Sequence, residues 1–203
     1  MAHLPNFYER TLVLIKPDAV VRGLIGEIIS RFERRGLKIS ALKMVLPTRE
    51  QIEAHYSEDE EWLKTLAEKT RETFSELDID VKEHMGTDDE LTIGRLIRSW
   101  LIEYLLEGPV VVMVIEGIHA VSIVRKIVGH TLPAKAEPGT IRGDFSIDSN
   151  SIANLSKRSV RNLVHASGSV KEAEREIRHW FSENEIYDYE RSESQTMFKT
   201  TLK

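Results

Sequence analysis

The sequence predicts an α/β fold of the α+β kind, an antiparallel sheet with helices on it plus a helical insertion. Three observations predict it. Thr11–Ile15 and Val110–Ile115 are short, apolar and β-rich, the mark of buried strands. Ile25, Ile28, Ile29 and Phe32, and later Val170, Ala173, Ile177 and Trp180, recur at helical spacing and give two amphipathic helices that need a sheet to cover. From Ser57 to about Ser99 the chain turns charged and helix-forming, which interrupts the strand order.

Each element has a local cause. The first strand breaks at Lys16-Pro17-Asp18, which leaves a cation at its end. Glu27, Arg31 and Arg34 stand off the stripe of the helix that follows Gly23, and Gly36 stops it. Leu37, Ile39 and Ala41 alternate with Lys38 and Ser40, then Leu42, Met44 and Leu46 take the other phase, as in a strand with a bulge. Thr48 and Gln51 form a capping box for a short helix reaching His55 and Tyr56. Helix-forming stretches from Glu58 to Glu76 and from Thr92 to Glu107 enclose the polar segment Asp78–Glu90, and the run Glu58-Asp59-Glu60-Glu61 reads as a solvated face. Gly108-Pro109 announces Val110–Ile115, the most apolar run and hence a central strand. A helix over Ala120–Val128 leads into Gly129–Gly143, a long ordered loop. Asp148–Ser159 is a polar second insertion, read as a loop. Leu163 and Val164 end a buried strand that delivers His165 among small residues, with Ser167 and Ser169 as candidate caps of the last helix. The polar tail after Phe181 frays or wraps a neighbouring subunit.

With the insertions at about 57–99 and about 148–159 set aside, the order is βαββαβ and a trailing helix, the ferredoxin-like pattern, in one domain spanning 1–203. That pattern hosts many functions and decides none. A net charge of −5 gives no general attraction to nucleic acid or an anionic membrane, so any anion site is built locally. The absence of cysteine excludes disulfides and thiolate zinc and suits a reducing, cytoplasmic setting. Met1–Tyr8 has no apolar core of signal-peptide length, and no run approaches the roughly 20 residues that cross a bilayer.

The P-loop, G-x-G-x-x-G and H-R-D patterns are missing, which argues against those phosphate devices. No His and carboxylate spacing suggests a structural metal, and His119 and His130 read as loop or helix-end residues. What remains is a set of phosphate-friendly residues at element ends: Lys16, Tyr56, Arg125, Thr131, Arg142 and Asn162. The turn after His165 exposes backbone N–H groups that suit an anion, and a histidine beside bound phosphate can act as a nucleophile.

Glu9-Arg10-Thr11, Ile15-Lys16-Pro17-Asp18-Ala19-Val20, Arg22-Gly23-Leu24-Ile25-Gly26-Glu27, His55-Tyr56, Gly108-Pro109-Val110-Val111, Glu116-Gly117, Pro138-Gly139-Thr140-Ile141-Arg142-Gly143-Asp144-Phe145 and Asn162-Leu163-Val164-His165 follow one another in an order that resembles the nucleoside diphosphate kinase family. The resemblance runs from about Glu9 to about Tyr189 outside the insertions. It implies a ping-pong transfer in which ATP or another nucleoside triphosphate gives its γ-phosphoryl to His165 and a nucleoside diphosphate takes it. By the same resemblance Glu176 orients the imidazole with Ser167 nearby. Lys16, Arg125 and Arg142 contact phosphate, Thr131 and Tyr56 offer hydroxyls, and Asn162 meets the sugar. Read alone, Glu176 is an ordinary helix glutamate and Arg125 a helix-end arginine facing the macrodipole. Mg²⁺ is implied as a companion of the nucleotide, with no dedicated protein cage and no other metal. Trp62 and Leu66, four apart on a helix, either replace the family's base-stacking pair or form a plain amphipathic stripe.

Ala19 and Ala166 stand where the family usually has glycine, and Gly168 stands where it usually has an aspartate near the phosphates. The resemblance also implies a homo-oligomer, a hexamer first and a tetramer or dimer otherwise, and no nucleic acid or membrane partner. Two other classes compete: a nucleotide-binding regulatory module without turnover, and a nucleic-acid-binding ferredoxin-like protein, which net acidity and missing stacking aromatics disfavour.

Overall fold

The computed structural model describes residues 7–198; residues 1–6 and 199–203, which hold most of Met1–Tyr8 and the end of the tail, lie outside the described residues. Strands β1 (Tyr8–Ile15), β2 (Lys38–Val45), β3 (Val110–Ile118) and β4 (Val164–Ala166) make one sheet in the order β2-β3-β1-β4, with every neighbouring pair antiparallel. This is the ferredoxin-like order, two interleaved split βαβ units, as the element pattern predicts. Helices α1 (Pro17–Val21) and α2 (Ile25–Arg34) precede β2, and α3 (Arg49–His55), α4 (Glu60–Glu76), α5 (Val81–Met85) and α6 (Glu90–Leu106) precede β3. Between β3 and β4 come α7 (Ala120–Val128), α8 (Ile141–Phe145) and α9 (Asn150–Leu155), and α10 (Val170–Trp180) and α11 (Ser194–Phe198) follow β4.

The central strands are apolar on both faces because both are covered. Val13, Ile15, Val111, Met113 and Ile115 pack with Ile28 and Phe32 of α2 and Val124 and Val128 of α7. Leu12, Leu14, Val110, Val112 and Val114 pack with Ile52 of α3, Ile102 and Leu105 of α6, and Ile177 and Trp180 of α10. Alternate residues of one run thus feed two cores.

The bulge falls where the phase change of β2 puts it, with Ser40 unpaired between Ile39 and Ala41. Beyond it the second phase is not covered: Leu42, Met44 and Leu46 are 49%, 55% and 73% exposed. Along the outer edge of the first half runs the tail, where the Tyr187 N–H donates to the Ser40 carbonyl at 2.8 Å and Arg191 donates to that of Leu37 at 2.7 Å.

Helices α4 and α6 lie against each other with a small core of their own, Ala67, Phe74, Met85 and Ile93. Gly94 permits the approach, since a Cβ there would lie 2.4 Å from the Leu63 carbonyl oxygen. Two segments read as loops contain helix. Gly129–Gly143 holds a 3₁₀ turn at Pro133–Lys135 and the start of α8, and Asp148–Ser159 holds α9, because Ser149 caps its first turn and Ala153 and Asn154 are buried. Asn150 ties α9 to α4 through a 2.5 Å bond to the Thr73 hydroxyl. The carboxylate of Asp148 accepts from Arg158 and from the Arg161 N–H, closing this segment just before the Asn162–His165 stretch.

Candidate active site

His165 sits on β4 opposite Leu14, at the end of the sheet where β1 turns into α1. Its Nε2 lies 3.0 Å from both oxygens of Glu176, a residue 1% exposed on α10. Glu176 belongs to the buried face of that helix with Ala173, Ile177 and Trp180, so its carboxylate is aimed inward at the sheet. Burial alone would raise its pKa, but the His165 ring, the neighbouring His55 and the Ser167 hydroxyl hold it down to about 2. An ionised carboxylate only accepts, so Nε2 carries the ring proton and Nδ1 keeps the lone pair. Among the described residues Nδ1 makes no hydrogen bond.

Ser167 donates to Glu176 at 2.7 Å and receives the Leu12 N–H at 3.3 Å, so it is a buried brace. The helix cap is Ser169 alone, which accepts the Glu172 N–H. His55, 2% exposed, accepts the Trp180 indole N–H on Nδ1 at 3.3 Å and meets the His165 ring edge-on, with centroids 4.7 Å apart at 83°. Burial, then His165, lowers its pKa well below the usual histidine range, which keeps this neighbour neutral.

Lys16, between β1 and α1, donates from Nζ to Asn162 Oδ1 at 2.7 Å, while Asn162 Nδ2 donates to the Thr131 carbonyl at 2.9 Å. Burial and the Arg142 and Arg161 charges pull Lys16 down to about 7, against Asp18, which raises it. Arg142 spends three N–H groups on the carbonyls of Asn162, Gly129 and Val164 at 3.1, 3.0 and 2.5 Å, and burial, then Arg125, lowers it to about 10. Both groups are short of counter-charge, which a bound phosphate would supply. The backbone here is strained: Leu163 has φ +69° and is spanned by a Val164 N–H to Asn162 carbonyl bond of 2.7 Å, a γ-turn that sets the exit of Asn162 against the entry of His165.

His165, Lys16, Arg125, Arg142, Thr131, Asn162, Tyr56 and Leu66 all line one cleft of about 250 Å³. Glu176 and Ser167 stand behind the imidazole. Trp62 does not line the cleft; one turn before Leu66 on the same face of α4, it stacks on Tyr56 with ring centroids 6.2 Å apart. Burial, then the Glu176 charge, raises the Tyr56 hydroxyl, so it stays a neutral donor. Sequence reasoning missed Leu101, Val128 and Glu172, which also line the cleft. Glu172 carried a signal, since Ser169 and Glu172 have capping-box spacing; its carboxylate accepts the Gly168 N–H at 2.6 Å. Among the described residues one group has metal-ligand spacing, His55, His165 and Glu176, with ligand atoms within 4.8 Å, and hydrogen bonds within and around it engage its facing atoms.

A family model described as nucleoside diphosphate kinase matches residues 9–75 and 94–186. A nucleoside diphosphate kinase of Pyrobaculum aerophilum is 56% identical over 180 residues, covering 89% of this chain and 98% of that one. The crystal structure of an NDP kinase from the same organism superposes with a TM-score of 0.88 at 54% identity, over 89% of this chain and 100% of the other. A transition-state mimic of nucleoside-diphosphate kinase from Borrelia burgdorferi, with bound vanadate and ADP, gives 0.75 at 35% identity over 94% and 96% of the two chains.

Proposed function

The chain belongs to the nucleoside diphosphate kinase family, and on that premise we propose that His165 carries the phosphoryl group in a ping-pong exchange between nucleotides. In the first step the Nδ1 lone pair attacks the γ-phosphorus of a nucleoside triphosphate. The bond from that phosphorus to the bridging oxygen breaks, and the diphosphate leaves with its electrons. In the second step a β-phosphate oxygen of another nucleoside diphosphate attacks the same phosphorus, the N–P bond breaks, and the ring recovers its lone pair. The observation that carries this reading is the 3.0 Å approach of both Glu176 oxygens to His165 Nε2: an ionised carboxylate there favours the proton on Nε2, which leaves Nδ1 nucleophilic and offsets the positive charge of the phosphorylated ring.

Lys16, Arg125 and Arg142 stabilise charge on the transferring group, a task for donors already in place. Thr131 and Tyr56 add hydroxyls. Asn162 keeps one amide hydrogen for the sugar after bracing Lys16 and Thr131. Leu66 and Leu101 give the base an apolar wall, with Trp62 backing Tyr56.

Mg²⁺ comes with the nucleotide. The cleft offers one carboxylate, Glu172, among cations, a donor set too sparse for a protein cage and suited to an ion that keeps phosphate oxygens and water as ligands. When bound, the ion neutralises phosphate charge. The segments at about 57–99 and 148–159 are insertions in a single domain on this reading. The exposed Leu42, Met44 and Leu46 on an edge strand support assembly with further copies, a hexamer first. Among the described residues no helix is long and apolar enough to cross a membrane, and a cysteine-free chain suits the cytoplasm.

The test is to incubate the protein with γ-labelled ATP and Mg²⁺. An acid-labile phosphate on His165 is expected, released as labelled GTP when GDP is added and missing from His165→Ala. A chain that binds ATP and takes no label is a regulatory nucleotide-binding module instead.

A further inference from the structure

Tyr104 lies on α6, far in sequence from Lys16, Arg142, Asn162 and His165, yet its ring meets the braces of the phosphate site. The Lys16 ammonium stands 4.8 Å from the ring centroid and the Arg161 guanidinium 4.4 Å. The residue is 2% exposed. Its hydroxyl faces the Asp18 carboxylate and the Leu163 backbone without completing a well-formed hydrogen bond, and Asp18 Oδ1 is likewise buried and unpaired. The hydroxyl therefore does not account for an aromatic residue here. The face of the ring does, because its quadrupole attracts cations, most strongly where water is excluded.

Lys16 needs such support. Asn162 Oδ1 is its single side-chain acceptor, Arg142 of α8 and Arg161 ahead of β4 repel it, and Asp18 of α1 is the one carboxylate that favours its charge. Arg161 is itself anchored, donating both terminal nitrogens to Glu107 at the end of α6, three residues after Tyr104. One helix thus supplies both the ring under Lys16 and the clamp on the competing cation.

We propose that Tyr104 is a positioning residue for phosphoryl transfer, its ring face holding the Lys16 ammonium charged and aimed into the cleft. This rests on the reading of the cleft as a phosphoryl-transfer site, and it adds a contribution from the helical side of the cleft that acts only through Lys16.

The experiment reads Lys16 directly in the nucleotide-free protein, by NMR titration of a ¹³Cε-lysine label, with Lys16→Gln assigning the signal. Tyr104→Phe keeps the ring, and phenylalanines bearing one, two and three fluorines at this position drain the quadrupole with little change of shape. The expected result is a stepwise fall of the Lys16 midpoint, about one pH unit in all, with a parallel acid shift in the pH at which ADP affinity declines. Tyr104→Leu, if it folds, shows the full shift. A midpoint indifferent to fluorine overturns the proposal, as does a loss of ADP affinity equal at pH 6 and pH 8. Labelling of His165 by ATP is measured on the unsubstituted protein in parallel: labelling without fluorine dependence overturns the role of Tyr104 alone, whereas absence of labelling overturns the transfer reading and leaves the titration to judge the ring.

Discussion

Of the cleft's two walls, the one carried by β1, β4, α8 and α10 is braced by charge, while the one carried by α4 and α6 is closed mainly by apolar packing. On the first, Lys16, Arg142, Asn162, Ser167 and Glu176 are all buried, and each hydrogen-bonds another residue of the site or its backbone. On the second, Leu66 and Leu101 face the cleft from helices held by Leu63, Ala67, Phe74 and Ile93. Removing a member of a buried polar set leaves its partners unsatisfied, whereas apolar packing yields in proportion to the atoms lost. On the proposed function, transfer chemistry sits on the wall that tolerates no replacement, and contact with the varying part of the substrate falls to the wall that does.

The sharpest way to break the comparison is Glu176→Gln. A carboxamide can donate to Nε2 and so favour the tautomer with the proton on Nδ1. Single-turnover labelling of His165 is expected to slow by about 10²–10⁴-fold, by analogy with other misoriented histidines. Gly94→Ala attacks the other wall. Its Cβ would collide with the Leu63 carbonyl, at an expected cost of about 2 kcal/mol and a fall of roughly 4–8 °C in calorimetric Tm. Labelling per folded molecule should change less than about twofold, since no braced residue is touched.

The third test uses pH. Lys16 is poised near 7 in the free protein, and bound phosphate returns it toward the ordinary lysine range. Binding then takes up a proton above pH 7, so ADP affinity measured by calorimetry falls as pH rises, by up to about tenfold per unit. The same depression means that the unfolded chain binds more protons between pH 7 and about 10, so the ligand-free protein gains stability as pH rises through that window. The smallest effects belong to the apolar wall. Leu66→Ala should raise KM for nucleoside diphosphates about threefold to tenfold with kcat nearly unchanged, and Trp62→Ala, one ring removed from the cleft, less than about threefold.

The two walls also differ in what the chain discloses about them. Lys16, Asn162 and His165 are legible because each ends or adjoins a short apolar run, where a polar residue has no core to join. Glu176 needed family resemblance, although its place in the stripe Ala173, Glu176, Ile177 and Trp180 marks it as facing inward. Tyr104 and His55 were not legible as site residues, because on an amphipathic helix an aromatic ring in the apolar phase reads as core. Leu66 and Trp62 are four apart, and only the tertiary setting of α4 decides which of them meets the cleft. The three carbonyls bound by Arg142 come from distant stretches that no local pattern connects. Helix α9 is not legible locally, because its buried Ala153 and Asn154 depend on docking against α4.

The tail that bonds to the Ser40 and Leu37 carbonyls occupies the β2 edge up to the bulge, and among the described residues it makes no backbone hydrogen bond beyond it, where Glu185 meets the Lys43 side chain. On the β2 edge, among the described residues, an incoming strand finds open backbone partners along residues 42–46, past the bulge. That limits sheet extension at this edge to one short register and denies further strands a continuous template there. Clipping the tail at Tyr187 would remove the stop and make fibrous association the outcome to watch for.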